Sequence, residues 1–230
     1  MTVAHRGASS LAPENTLEAF RLALRRGARA IEFDVHQTRD RRLVVVHDAS
    51  LQRTAGVRRA VDRLTARAVT ALDAGSWFAP AFRGARIPTL ERVLRALKGC
   101  AVLNIELKAG ARRLHPGLES RVLSVVRRLG WRDRVVVSSF HVRYLERLRR
   151  LDAAIAIGIL VHPWSVETAL ARAARLNAVS IHPPARVVTA DLVRRVHGAG
   201  YAILPYTVDR IQDKRRLTRL GVDGFFTNTP

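Results

Sequence analysis

The chain has 230 residues, of which 48% are hydrophobic, a single cysteine, and a formal net charge of +21. That length suits one α/β domain spanning residues 1–230 and falls short of two typical domains, while a lone Cys100 excludes an intrachain disulfide and reads as a small buried thiol. The charge is almost wholly arginine, scattered in clusters such as Arg25-Arg26, Arg39 to Arg42 and Arg147 to Arg150 with few aromatics between them, so specific nucleic-acid binding is not expected.

From the N-terminus onward, short β-rich runs alternate with longer helical ones. Val3 to His5 precedes a helical stretch from Leu17 to Arg26, and Ala30 to Val35 reads as the next strand. Leu43 to His47 follows too soon for a parallel crossover, which needs a dozen or more residues, and is expected to return as a hairpin with Asp34 facing roughly His47. An insertion at roughly residues 50–88, carrying Trp77, Phe78, Pro80 and Phe82, is expected to cap the site. The rhythm resumes with Val102 to Leu107, Leu118 to Leu129, Val135 to Ser138, Val142 to Arg150, Ile155 to Leu160, Val166 to Arg175, Ala178 to Ile181, Ala190 to His197, Tyr201 to Val208, Ile211 to Leu220 and Gly224 to Thr227. With the hairpin ribbon set aside, eight strand candidates remain, which predicts a (β/α)8 TIM barrel with a small insertion.

No apolar run is long enough to span a bilayer, and Met1 to Arg6 lacks the basic start and apolar stretch of a secretory leader, so a cytoplasmic location is expected. The basic surface suggests at most a weak attraction to anionic membrane surfaces.

Chemistry is expected where barrel strands end. Glu32 and Asp34 are two apart in one apolar strand and share a face, as do Asn104, Glu106 and Lys108 in another. Carboxylates gathered in a barrel repel one another unless compensated, and without a cysteine cluster the compensation favours a hard divalent cation, Mg2+ or Ca2+ ahead of Zn2+. His5 and His47 each close a strand and suit proton transfer near neutral pH, one as base and one as acid. Arg6 and Lys108 can neutralise phosphoryl oxygens. Gly7 permits close backbone approach, and Asn15 with Glu18 reads locally as a helix cap.

His5-Arg6-Gly7, Pro13-Glu14-Asn15-Thr16, Ile31-Glu32-Phe33-Asp34-Val35, His47-Asp48 with Leu51-Gln52-Arg53-Thr54, Ile87-Pro88-Thr89-Leu90 and Asn104-Ile105-Glu106-Leu107-Lys108 together resemble the glycerophosphodiester phosphodiesterase signature in order and spacing. Ser138-Ser139-Phe140 and Gly221-Val222-Asp223-Gly224 extend the resemblance over the whole chain. It implies a divalent metal (Mg2+, Ca2+ or Mn2+) on Glu32, Asp34 and Glu106, an acid-base pair in His5 and His47, phosphate contacts from Arg6 and Lys108, and Glu14 and Asn15 beside the site. The implied reaction hydrolyses small-molecule glycerophosphodiesters to sn-glycerol 3-phosphate and an alcohol. Tyr206, counted with the substrate-binding residues, stands where the family often has Trp, and Asn228 where it often has Asp; both departures bear on the substrate pocket. A lysophospholipase D-like activity, favoured by an apolar lid, and a non-catalytic phosphate-ligand or nucleic-acid binding barrel are the competing readings.

Overall fold

The computed structural model describes residues 1–162 and 166–230. Eight strands form a curled parallel sheet: β1 (Thr2–His5), β2 (Ala30–Gln37), β4 (Val102–Leu107), β5 (Val135–Ser139), β6 (Ala156–Leu160), β7 (Ser180–His182), β8 (Ala202–Ile203) and β9 (Phe225–Thr227). Their order is β8-β7-β6-β5-β4-β2-β1-β9, and β3 (Leu43–Val45) hangs off β2 as an antiparallel ribbon. The two end strands of that path meet through backbone hydrogen bonds: Asp223 N donates to Ile203 O, Phe226 N to Pro205 O, and Val208 N to Phe226 O.

Helices cover the outer face of the sheet. α1 (Leu17–Arg25), α4 (Leu90–Ala96), α5 (Leu118–Arg128), α6 (Val142–Leu151), α7 (Val166–Leu176), α8 (Ala190–Gly198) and α9 (Ile211–Arg219) link successive strands. Thr16, Thr89 and Thr189 start three of them, each accepting a hydrogen bond from a backbone N–H three residues on, which satisfies a donor the helix leaves orphaned. Period-two alternation on the central strands decides what faces where. Ile31, Phe33 and Val35, like Leu103, Ile105 and Leu107, join the helices in the main apolar core, so Glu32, Asp34, Asn104 and Glu106 point the other way, toward the concave face of the curled sheet. Below them Val3, Ala30, Leu204 and Phe226 form a separate apolar cluster.

The expected hairpin is present, shifted by one residue: Val35 pairs with Val45, and Val46 N donates to Asp34 O. The ribbon strand ends at Val45, and His47 lies just beyond it. Residues 50–88 contain the short helices α2 (Gln52–Ala55) and α3 (Ala66–Thr70) and pack Leu51, Val61, Val69, Ala74 and Ile87 against Val44 and Val46 of the hairpin in a small second core. The run Tyr201 to Val208 is less regular than its apolar pattern predicts. Only Ala202–Ile203 is regular strand, although the backbone goes on bonding to both neighbours, with Leu204 N donating to Ile181 O and Tyr206 N to Pro183 O. Pro205 has no N–H to offer, and its carbonyl serves the last strand instead. Cys100 is buried. Among the described residues no helix is long and apolar enough to cross a membrane.

One charged group is structural. Asp152 is 4% exposed and accepts from Arg132 Nε and Nη2 at 2.9 and 2.8 Å, from Arg127 Nη2 at 2.8 Å, and from the backbone of Ala154 and Ile155. The Arg132 hydrogen bonds, with the one from Arg127, hold its carboxyl below the usual range. A depressed folded-state pKa gives stability that is present above the unfolded value, about 3.9, and is lost as pH falls below it. Asp152→Asn should therefore cost about 1–2 kcal/mol at pH 7, the half-exposed arginines limiting the loss. The deficit relative to the unmodified protein should shrink below about pH 4, as read by thermal melts across pH.

Candidate active site

Strand register assembles the site. His5 on β1 is level with Glu32 on β2, and Glu32 with Asn104 on β4; one inward position farther along, Asp34 pairs with Glu106, which in turn pairs with Ser138. Parallel neighbours stand about 4.8 Å apart, so this register alone brings three carboxylates together. Glu32, Asp34 and Glu106 each offer an oxygen within 4.8 Å of the others, and all three are buried.

Two cations share this space. Lys108 Nζ lies 2.8 Å from Glu106 Oε1 and 3.5 Å from Asp34 Oδ1. Arg6 Nε is 3.3 Å from Asp34 Oδ2, its Nη1 is 3.1 Å from Glu14 Oε1, and its backbone N–H donates to Glu32 Oε2. The chain reaches that position through a turn in which Arg6 and Gly7 both have positive φ; a Cβ on Gly7 would come within 2.7 Å of the Ala19 backbone. Arg6 and Lys108, expected at the phosphate, thus lie at the cavity and also pair with the carboxylates.

Asn15 is not the helix cap. Thr16 takes that role, and Asn15, at φ 59°, donates to Asp34 Oδ2 at 2.8 Å and accepts from Asp34 N. Local spacing could not separate the two, because either residue can cap. Glu14 is gripped by Arg53 through two hydrogen bonds of 2.8 and 2.7 Å as well as by Arg6.

The charges do not balance within the cluster. Burial pushes Asp34 up, yet Lys108 and Arg6 hold it well below the carboxylate range. Burial, with the repulsion of Asp34 and Glu106, raises Glu32 far above its ordinary value. Burial raises Glu106 to about 7, with Lys108 pulling down and Asp34 pushing up. Glu32 Oε1 and Asp34 Oδ1 are buried without a hydrogen-bond partner among the described residues. Orphaned carboxylate oxygens converging in an oxygen-only donor set fit a hard divalent cation.

Both histidines line the same cavity, of about 260 Å³, with Arg6, Lys108, Phe140 and Tyr206. His5 Nδ1 is 2.7 Å from Asn228 Oδ1, an acceptor, so Nδ1 carries the proton and Nε2, 3.9 Å from Glu32 Oε2, carries the lone pair. Ser9 donates to the same Asn228 oxygen, and Asn228 Nδ2 donates to Asp209. Asn228, expected in the substrate pocket, therefore stands behind His5. Burial, then the Arg6 charge, lowers His5 to about 4. His47 Nδ1 is 2.6 Å from Asp48 Oδ1, and Arg53 holds the other Asp48 oxygen. Burial lowers His47, with the Asp34 and Asp48 carboxylates opposing it. Tyr206 donates its hydroxyl to Val161 O at 2.8 Å, so it presents its ring, not its OH, to the cavity.

The sequence reading missed His36 and His115. His36 continues the Glu32, Asp34 alternation on the same face of β2 and is buried; its Nε2 donates to His47 O at 3.1 Å, and its Nδ1 is 3.0 Å from His115 Nε2. Since a carbonyl only accepts, His36 carries its proton on Nε2 and His115 donates to it. Period two could have flagged His36; nothing local marks His115.

The family model described as "Glycerophosphoryl diester phosphodiesterase family" matches residues 5–230. The chain belongs to that family. It is an enzyme, a phosphoric diester hydrolase. A glycerophosphodiester phosphodiesterase of Caldanaerobacter subterraneus subsp. tengcongensis is 36% identical, with 100% of this chain and 94% of the relative covered. Among solved structures, an Oleispira antarctica phosphodiesterase in complex with the product sn-glycerol-3-phosphate superposes with TM-score 0.92 at 28% identity, covering 100% of this chain and 93% of that one. A glycerophosphodiester phosphodiesterase of Agrobacterium tumefaciens gives 0.85 at 29%, covering 100% and 96%.

A carboxyl whose pKa is raised on folding contributes stability below its unfolded value and loses it as pH rises through the folded one. Chelator-treated protein should accordingly lose thermal stability between about pH 4.3 and 7 as Glu106 ionises. Added Mg2+, Ca2+ or Mn2+ should raise Tm above pH 7 in proportion to the logarithm of its concentration. In Glu106→Gln that metal-dependent rise should be largely lost.

Proposed function

We propose that this chain is a single-domain (β/α)8 barrel hydrolysing glycerophosphodiesters to sn-glycerol 3-phosphate and an alcohol, with residues 50–88 as an insertion at the barrel mouth. The observation that carries the reading is the convergence of two histidines, two cations and a cluster of three carboxylates, two of them with an orphaned oxygen, at one cavity.

Glu32, Asp34 and Glu106 would hold the cation, which when bound supplies Lewis-acid polarisation of a phosphoryl oxygen. Asn15, clamping Asp34 at two points, fixes one of these ligands. Arg6 and Lys108 neutralise the negative charge that accumulates on the phosphoryl oxygens, Arg6 as a fork oriented by Glu14 and Lys108 as a point charge. His5 and His47 each have Nδ1 committed to an acceptor, leaving Nε2 as the working atom. One takes a proton from the attacking hydroxyl and the other gives one to the departing alkoxide. Asp48 stabilises His47 when it is protonated; His5 has only the neutral Asn228 oxygen behind it and stays a weaker base. The Tyr206 and Phe140 rings wall the cavity.

The lysophospholipase D-like alternative needs an apolar groove beside the phosphate. The Trp77, Phe78 and Phe82 rings pack edge-on against each other at 5.7 and 5.5 Å, and Trp77 spends its N–H on Ala74 O, which favours reading them as the packing of residues 50–88 over a lipid groove.

Replacing either His5 or His47 by Ala should lower kcat about 100- to 10,000-fold, with little loss of fold. The double variant should be far less impaired than the product of the two. A p-nitrophenyl phosphodiester, whose leaving group needs no proton, should rescue only the variant lacking the general acid. Equal rescue of both, or activity near wild type in either, contradicts the paired assignment.

A further inference from the structure

Two cavities meet at Tyr206 and Thr207. One is the reaction cavity; the other, about 610 Å³, lies beyond the C-terminal ends of β7 and β8, with Arg186, Asp213, Arg216 and His162 among the residues that line it. Their shared wall is aromatic: Phe140, inside the first, stacks on His162 at 4.7 Å and meets the Tyr206 ring edge-on at 5.9 Å. A phosphodiester has two arms, so with its phosphoryl group held at Arg6 and Lys108, an arm that leaves past Tyr206 enters the outer cavity.

The outer cavity is ionic. Arg216 is fixed in place, donating to Val188 O and Ala185 O at 3.1 and 2.9 Å, with its Nε 3.7 Å from Asp213 Oδ1. These bonds pin the turn Ala185–Val187 that carries Arg186. The same turn is tied to the wall, because Ala185 N donates to Tyr206 O at 2.7 Å and Tyr206 N to Pro183 O at 2.9 Å. Arg186 is exposed and makes no side-chain hydrogen bond or ion pair among the described residues. Asp213 offsets Arg216, which leaves the Arg186 guanidinium as the net charge among the described residues that line the subsite.

Building on the hydrolytic reading above, we infer that this outer cavity is the subsite for the alcohol arm, that it takes an alcohol bearing a second anionic group, and that Arg186 sets that preference. A hydrocarbon arm would strip water from Arg186 and Asp213 without replacing it, and a quaternary ammonium would meet a like charge. A phosphate in the arm receives the forked donors of a guanidinium on a turn already held rigid.

The test compares initial rates of sn-glycerol 3-phosphate release from three diesters: glycerophosphocholine, glycerophosphoglycerol, and bis(glycerophospho)glycerol, whose alcohol arm carries a second phosphate. The kcat/KM ratio of the last to the first should be about five- to tenfold at low salt and fall as salt screens the charge. It should drop to about one or below in Arg186→Glu and be partly kept in Arg186→Lys. Turnover of all three with no preference, or a preference unmoved in Arg186→Glu, overturns this inference and leaves the hydrolytic reading standing. No turnover of any of them overturns both.

Discussion

Three carboxylates buried side by side in one parallel sheet are the constraint that the rest of the molecule answers. Parallel pairing places Asp34 beside Glu106 and Glu32 one inward position behind, and burial forbids water from separating their charges. Lys108 and Arg6 satisfy part of the demand, and Asn15 holds Asp34 from both its side chain and its backbone. Glu32 Oε1 and Asp34 Oδ1 remain buried without a hydrogen-bond partner among the described residues. Such an arrangement is costly as a resting structure and sensible as a receptor for a divalent cation. The turn at Arg6-Gly7 and the Thr16 cap are placed where they deliver Arg6 and Asn15 to this cluster.

The two histidines proposed as acid and base are organised by the opposite logic: each is neutralised by burial and oriented by a single acceptor. Asn228, near the C-terminus, does this for His5, and the adjacent Asp48 does it for His47. Behind His47, the His36 ring bonds the backbone carbonyl, and His115 fixes the tautomer of His36. The ring proposed to move a proton is thereby tethered at its Nδ1 and at its own main chain, which leaves its Nε2 toward the cavity. Orientation is bought with buried neutral imidazoles, which suits a site that already holds several charges.

How much of this could be read from residues alone follows from the range of the interactions. Alternation along a strand is local, so the shared face of Glu32 and Asp34, and of Asn104, Glu106 and Lys108, was legible. So was the hairpin, because Leu43 follows Val35 too closely for any crossover; its register came out one residue away, since the turn leaves either pairing open. What sequence could not show is which distant groups close each hydrogen bond. Asn228 lies 223 residues from His5, and His115 lies 79 from His36; no periodicity connects them. Asn15 was misread for another reason: its left-handed backbone turns the side chain toward Asp34, and the helix takes its cap from the next residue. The strand at Tyr201 to Val208 looked regular because its apolar pattern ignores the N–H that Pro205 lacks.

The central claim is that the carboxylate cluster is a cation site, and anomalous X-ray scattering tests it directly. Crystals of the protein grown with Mn2+ should show an anomalous peak within about 2.0–2.6 Å of oxygens from Glu32, Asp34 and Glu106, and that peak should vanish in Glu106→Gln crystals grown identically. Full Mn2+ in the medium with no peak among the three carboxylates, or a peak that survives the substitution unchanged, would contradict the account.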